Sequence, residues 1–379
     1  MFPPNECSGC GACVHICPTH AIEFVRNAEG FYYPSVDENT CVHCGLCEKK
    51  CPVLKPLPPI TSQPMAYASQ NRDEQIRSRS SSGGIFTLLA EYVIRQGGIV
   101  VGCAMSPDCY AAEHRVIADE SGLRELRGSK YVQSRADITF PTVKEALQNG
   151  RTVLFSGTPC QLTGLHAYLS NTDTERLISV DIICHGAPSP AVWEEYVRHW
   201  ETVKGSKVVS VQFRNKEKGW TPYTLVLTFE NGEEYKQVCT EDLYCKGFVA
   251  DYFLRSSCYD CHAKGDHRSA DITLGDLWGI RGVCPSMDDN RGTSLALLNT
   301  KKGEELFRMV SSEMTWQSVD RDEALKHNPS YRRSSPKKAY RDHFMKRLHK
   351  KPVVKLLASY CSTRLPARIK RKLIGLKAR

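Results

Sequence analysis

The chain has 379 residues, 41% hydrophobic and 25% charged, an ordinary globular balance long enough for a sizeable core and a satellite domain. No apolar run reaches the roughly 18 residues of a membrane span, and the start MFPPNECSGCG lacks the basic-then-apolar pattern of a secretory leader. The expected compartment is therefore cytoplasmic, where thiols stay reduced, so the 18 cysteines read as metal ligands rather than as a disulfide framework. The formal charge of +9 conceals an asymmetry: seventeen Lys and Arg stand between Arg332 and Arg379 beside one acid, Asp342, and the 331 residues before them carry −7.

The first fifty residues hold the strongest signal. Cys7, Cys10, Cys13 and Cys17 are spaced Cys-x2-Cys-x2-Cys-x3-Cys and followed by Pro18; Cys41, Cys44, Cys47 and Cys51 repeat the spacing before Pro52. In this bacterial two-cluster pattern three thiolates wrap one 4Fe–4S cluster and the fourth, before proline, ligates the other. The expected sets are Cys7, Cys10, Cys13 and Cys51, and Cys41, Cys44, Cys47 and Cys17. Paired zinc knuckles would need no such crossed pattern. The segment between reads as a short hairpin with Gly30 near its turn and Phe24, Phe31 and Tyr32 in a very small core.

Five prolines in PVLKPLPPITSQP make a semi-rigid connection. The expected organisation is a ferredoxin-like unit over 1–55, a linker over 56–64, a body over 65–325 and a basic helical tail over 326–379. Within the body AYASQ and GIVVGCAM read as strands, and GGIFTLLAEYVIRQG and TFPTVKEALQNG as helices. RTVLFSGTPCQLTGLHAYL and LISVDIICHGAPSPAVWEEYVRHW each run strand, turn, helix. VVSVQFRNK, YTLVLTFENGEEYKQV and ADITLGDLWGI are strand-rich, with a hairpin turn at Asn231-Gly232. The fold class is α+β: a small bacterial-ferredoxin-like domain, a larger mixed α/β domain and the tail.

Several loops of the body carry chemistry. Ser80, Ser81, Ser82, Gly83 and Gly84 stand before a helix, where hydroxyls and N–H groups suit an anion such as phosphate or simply cap the helix. Lys130 in GSKYVQS is a second possible phosphate contact or a solvated lysine. Gly157, Thr158 and Cys160 end one strand, and Cys184 and His185 another, the ends at which α/β proteins place ligands; the two thiols read equally well as small buried apolar groups. Cys258-Tyr259-Asp260-Cys261-His262 fits a haem anchor, a zinc half-site, a redox dithiol or half an iron–sulfur site. An unexported chain disfavours haem, no second short-spaced pair lies near for zinc, and the pair precedes a strand rather than opening a helix.

SSSGGIFTLL, GSKYVQS, VLFSGTPCQ, DIICHG and CYDCHAKGDHRSADITLGDLWG come in this order behind a ferredoxin unit. Together they resemble the family of coenzyme F(420) hydrogenase/dehydrogenase beta subunits, most of all its bacterial branch, found in anaerobes. The resemblance spans roughly residues 1 to 300. It implies a flavin, FAD or FMN, in the body and a third 4Fe–4S cluster beside it. Carried residue by residue, it makes Ser82, Gly83, Gly84, Lys130, Gly157 and Thr158 flavin or phosphate contacts, and Cys160, Cys184, Cys258 and Cys261 the third set of cluster ligands. It implies an oxidoreductase passing electrons between an organic hydride donor or acceptor and the clusters through flavin. The redox partner is a protein or a low-molecular-weight carrier. Alternatives are an electron relay or scaffold without catalysis, and, from family context, a reductase in polysaccharide biosynthesis. His185 and Asp276 are the candidates for proton transfer, with supporting roles favoured for both. The tail, whose basic and apolar residues intermix, suits either a solvated helix pair or a peripheral contact with the inner face of the cytoplasmic membrane; no specific nucleic acid is expected.

Overall fold

Residues 5–56, 58, 63–266 and 268–362 are described by a computed structural model. The first unit is one hairpin and two short helices. Strands β1 (Ile22–Arg26) and β2 (Tyr32–Val36) pair antiparallel, with Ile22 opposite Val36 and Arg26 opposite Tyr32. The helices Ala12–Ile16 and Leu46–Lys49 each start from a left-handed glycine, Gly11 and Gly45. Buried apolar residues here are Ala12, Ala21, Ile22 and Phe31, too few to hold some fifty residues alone. Phe24 and Tyr32, expected in that core with Phe31, are instead only partly covered and lie under the Arg135 guanidinium of the body, 5.0 and 4.7 Å from it.

The body is organised on β3 (Met65–Asn71), β4 (Ile99–Met105), β5 (Ala112–Ile117), β6 (Ser134–Arg135), β7 (Val153–Gly157), β8 (Leu177–Ile182), β9 (Val208–Asn215), β10 (Thr224–Phe229), β11 (Glu234–Val238), β12 (Ile272–Asp276), β13 (Ser294–Leu298) and β14 (Met314–Ser318). Nine of these form one sheet in the order β14-β3-β13-β12-β8-β7-β4-β5-β6. β4, β7, β8 and β12 run parallel, and β3 runs with them because it is antiparallel to β13, itself antiparallel to β12. The carboxyl ends of five strands therefore share one edge.

Burial on both faces explains the near-continuous apolar strands. Val153 and Phe155 of β7 pack under the helices Phe140–Gln148 and Pro159–Tyr168, while Leu154 between them joins the helices Ile85–Arg95 and Lys301–Val310 on the other face. The helix Pro190–Lys204 has complete punctuation: Ser189 Oγ accepts from Val192 N, proline opens it, and left-handed Gly205 ends it. It packs Trp193, Tyr196 and Val197 into a second core together with β9–β11.

Three features differ from the sequence reading. β9, β10 and β11 form a three-stranded antiparallel sheet apart from the large one, a division the strand-rich stretches alone do not show. β5, β13 and β14 are not recognisable as strands from sequence; β13 is buried throughout and lacks the alternation that marks a half-exposed strand. The described part of the tail is packed: Val353, Leu356, Leu357 and Tyr360 of the helix Val353–Cys361 are buried in the second core. The apolar face of this helix is therefore covered by the protein itself. Residues 363–379 and most of the expected linker lie outside the described residues. No described helix is long and apolar enough to cross a membrane.

Candidate functional site

Eight thiols of the first unit surround two spaces. Cys7, Cys10, Cys13 and Cys51 line one, closed by Phe24, Pro34 and Pro52. Cys17, Cys41, Cys44 and Cys47 line the other, a cavity of about 590 Å³ open to solvent beside exposed Cys44. Burial pushes the Cys10 thiol up to about 12, opposed by the Ala12 N–H and reinforced by Cys7 and Cys51. Burial likewise raises Cys13, with Cys10, Cys7 and Cys51 adding to it. Four mutually repelling thiolates at a buried point need a cationic body between them, and iron supplies that charge. The donor chemistry thus fits a cluster, and the Ala21 N–H, 3.3 Å from Cys17 Sγ, adds the hydrogen bond to sulfur that such ligands take.

A third group of thiols stands at the carboxyl edge of the large sheet. Cys160 opens the helix after β7, Cys184 follows β8, and Cys258 and Cys261 flank the turn before β12. Burial raises Cys160 well above the ordinary thiol range, with Cys261, Cys184 and Cys258 each adding repulsion. Burial raises Cys258 to about 12, and Cys184 is the next cause. Burial also raises Cys184, against the opposing field of Lys264. Thr158 Oγ1 lies 3.3 Å from Cys160 Sγ, and the Ala187 N–H donates to Cys258 Sγ at 3.2 Å. Lys264 donates to the Cys184 and Ser330 carbonyls and closes the loop over the site. Among the described residues no three His, Cys, Asp or Glu side chains converge closely enough for a single metal ion; a 4Fe–4S cluster is a larger body whose thiolates stand further apart. His262 is half-buried, and burial lowers its pKa.

The other sequence candidates are gathered at the same edge, with different degrees of freedom. Ser82 Oγ donates to the Thr293 carbonyl and Gly83 N to Ser294 Oγ. A Cβ on Gly83 would lie 2.2 Å from the Ser69 carbonyl, so close packing of the loop on β3 and β13 already accounts for that glycine. Lys130 Nζ donates to the Glu125 and Arg127 carbonyls at 2.8 Å, and burial lowers it to about 8. These three groups, read as phosphate contacts, have partners inside the protein. Gly84 begins the helix Ile85–Arg95 in the left-handed region without a side-chain cap, which leaves first-turn N–H groups for an anion. The Ser129 N–H donates to Ser81 Oγ at 2.6 Å, so the serine-rich and GSK loops meet. Gly157 ends β7, and the Thr158 N–H donates to Gln161 Oε1.

Of the two proton-transfer candidates, Asp276 is held on both oxygens and His185 stands beside a buried carboxylate. Asp276 accepts from Arg214 through one oxygen and from Trp220 Nε1, 3.1 Å away, through the other. His185 Nε2 lies 2.9 Å from Asp251 Oδ1, with its ring edge-on to Phe248.

Two cations escaped the sequence reading. Arg214 is buried, faces Tyr223 and Trp278, and among the described residues has no hydrogen-bond partner for Nε and Nη2. Lys216 Nζ donates to the carbonyls of Arg77, Ser82 and Arg291, pinning the serine-rich loop. Both lie in β9 or just beyond it, where alternation announces a strand but no motif marks a site.

Comparison with known proteins decides the lineage. Two family models, for the N-terminal and C-terminal parts of the coenzyme F420 hydrogenase/dehydrogenase beta subunit, match residues 66–136 and 150–322 respectively. The chain belongs to the family of coenzyme F420 hydrogenase/dehydrogenase beta subunits. A 4Fe-4S dicluster domain model matches residues 6–54 in front of them. This family member is 22% identical over 324 residues to one of the subunits of the F(420)H(2) dehydrogenase of Methanosarcina mazei, with 82% of this chain and 84% of that protein covered. An uncharacterised protein of Methanocaldococcus jannaschii is 22% identical over 358 residues, with 81% and 87% covered. A chain of the F420-reducing [NiFe] hydrogenase complex from Methanosarcina barkeri aligns at 17% identity with a TM-score of 0.49, covering 72% of this chain and 92% of that one. The family is one of iron–sulfur oxidoreductases of hydrogenase/dehydrogenase type, and this member has the mixed α/β architecture behind a ferredoxin-like region.

Proposed function

We propose that this protein is an iron–sulfur flavoprotein that exchanges a hydride, or two electrons, with an organic substrate and passes single electrons to a redox partner. Cys7, Cys10, Cys13 and Cys51 hold one 4Fe–4S cluster, Cys17, Cys41, Cys44 and Cys47 a second, and Cys160, Cys184, Cys258 and Cys261 a third. The observation that carries this reading is the meeting of the last four thiols at the sheet edge, one helical turn from the first unit. Cys160 and Gly164 lie on one helix, and a Cβ on Gly164 would come within 2.5 Å of Cys10 Cβ.

A flavin bound at this edge, FAD or FMN, supplies the change between paired and single electrons. The chain's contribution is placement and charge. The uncapped start of the helix Ile85–Arg95 is available to a phosphate. Arg214, buried with two unpartnered nitrogens and oriented by Asp276, offers a fixed positive charge between aromatic rings. Asp276 and His185 act as positioning residues. Exposed Cys44 and the open cavity beside it make the outer thiol set the side that faces a redox partner, a protein or a small carrier.

Anaerobic purification followed by acid release of bound cofactors tests the reading. Flavin in the supernatant, lost in an Arg214→Ala variant that retains its iron, is the expected result. Clusters with no flavin, and none taken up on reconstitution, would instead make the protein a relay.

A further inference from the structure

Arg255 is among the largest fully buried side chains of the molecule, 1% exposed. Its backbone belongs to the body site: its N–H donates to the Ala187 carbonyl, and its own carbonyl accepts from Cys258 N. Its side chain leaves the body. Nε donates to the Cys7 carbonyl at 2.7 Å, Nη2 to the Tyr32 carbonyl at 2.9 Å, and Nη1 to Gln133 Oε1 at 3.1 Å. Nη2 also reaches Cys7 Sγ at 3.7 Å, and the guanidinium lies 4.1 Å from the Tyr33 ring centre. Gly9 has no side chain where a Cβ would stand 2.9 Å from Nη1.

Among the described residues no carboxylate pairs with this guanidinium. A full charge in such a place is costly without a counter-charge. The thiol in direct contact with it is Cys7, and its own carbonyl accepts from the backbone N–H of Cys258. One residue thus stands between the inner thiol set of the first unit and the thiol set of the body, with Cys7 Sγ the ionisable group nearest its fork. Cys17, Cys41, Cys44 and Cys47 do not touch it, although Tyr33, the ring it stacks on, also lines the outer space.

We propose that Arg255 raises the reduction potential of the cluster held by Cys7, Cys10, Cys13 and Cys51 relative to that of the outer cluster. The inference rests on the cluster assignments above. The step is the passage of one electron, with no bond made or broken. An added electron makes the inner site more negative, and a fixed buried cation that donates to a ligand sulfur stabilises that charge. Arg255 is a positioning and tuning residue; it does not touch a substrate.

The test uses the full chain purified anaerobically, titrated potentiometrically with electron paramagnetic resonance as readout. The inner signal is identified as the one lost in Cys13→Ala. Arg255→Met should lower the equilibrium constant for reduction of that centre by about tenfold, which is about 59 mV for one electron. Arg255→Lys keeps the charge but loses the fork to Cys7 and should shift it in the same direction by about threefold. The outer centre should stay in place in both. An unmoved inner potential in a variant that retains its iron overturns the proposal, and so does an equal shift of both centres. Should Arg255→Met fail to assemble, Arg255→Lys decides alone. About eight rather than about twelve irons in the unaltered protein would instead break the assignment of the body site and leave the effect on the inner centre measurable.

Discussion

The ferredoxin-like unit and the body are stabilised by different means. Four apolar residues are buried in the first, Ala12, Ala21, Ile22 and Phe31, whereas the body has several contiguous cores around a nine-stranded sheet. The body's contacts are therefore its own. The smaller unit depends on what its thiols hold and on the surface it sits against: Arg255 reaching Cys7, Arg341 forming two 2.7 Å bonds to Glu29, and Gly30 seated on Ala191. A cluster-bearing segment of this kind is folded by its cofactor and its neighbour.

The largest effect should come from removing the iron. Anaerobic chelation is expected to strip hydrogen-exchange protection from residues 5–56 while the sheet of the body keeps its protection. Loss of both in one step would erase the distinction between the two regions. Next in size is Gly164→Ala. A mid-helix alanine normally gains about 1 kcal/mol over glycine, but here its Cβ would stand 2.5 Å from Cys10 Cβ, and overpacking costs about 1–3 kcal/mol. A net destabilisation of up to about 2 kcal/mol by thermal unfolding, with iron lost from the inner site first, is expected; a stabilised variant would show that the two regions are not in close register.

The smallest effect concerns Asp137, which joins the two regions. Burial pushes its carboxyl up, but the two hydrogen bonds from Arg135, and then the nearby His15 ring, outweigh burial and hold it below the ordinary carboxylate range. His15 Nε2, from the first unit, lies 3.5 Å from Asp137 Oδ2. A depressed carboxyl contributes stability that is whole above its unfolded value of about 3.9 and is lost as pH falls through the folded value. Asp137→Asn should thus cost about 1 kcal/mol near neutrality, and the gap to the unaltered protein should close in acid. A gap independent of pH would mean that packing against Gly11, and not charge, sets the role of Asp137.

How much was legible in the sequence varied in the same way. The two Cys-x2-Cys-x2-Cys-x3-Cys-Pro repeats are contiguous, and local spacing alone brings their thiols near one another. Cys160, Cys184 and the Cys258–Cys261 pair are separated by up to about a hundred residues, and only the parallel arrangement of β7, β8 and β12 brings them together. Their motifs were readable through resemblance, not through spacing. Ser82, Gly83 and Lys130 looked like ligand contacts because loops before helices often are; the actual partners of Ser82 and Gly83, Thr293 and Ser294, lie at the start of a strand that local pattern does not connect to them, while Lys130 turns back on the Glu125 and Arg127 carbonyls just before it. Arg255 and Arg214 were invisible, since a buried arginine has the same letter as a solvated one. The apolar residues at 353, 356, 357 and 360 have the spacing of an amphipathic helix whether they meet a membrane or a core, and the core wins here because Tyr252, Phe344 and Leu348 are already there to receive them.

Iron quantitation on anaerobically purified protein, alongside Cys258→Ala, tests the account most directly. About twelve irons per chain, falling to about eight in the variant while the two ferredoxin-type centres persist, is the result expected of a third cluster at the sheet edge. About eight irons in the unaltered protein, or an iron content that Cys258→Ala leaves unchanged, would contradict it.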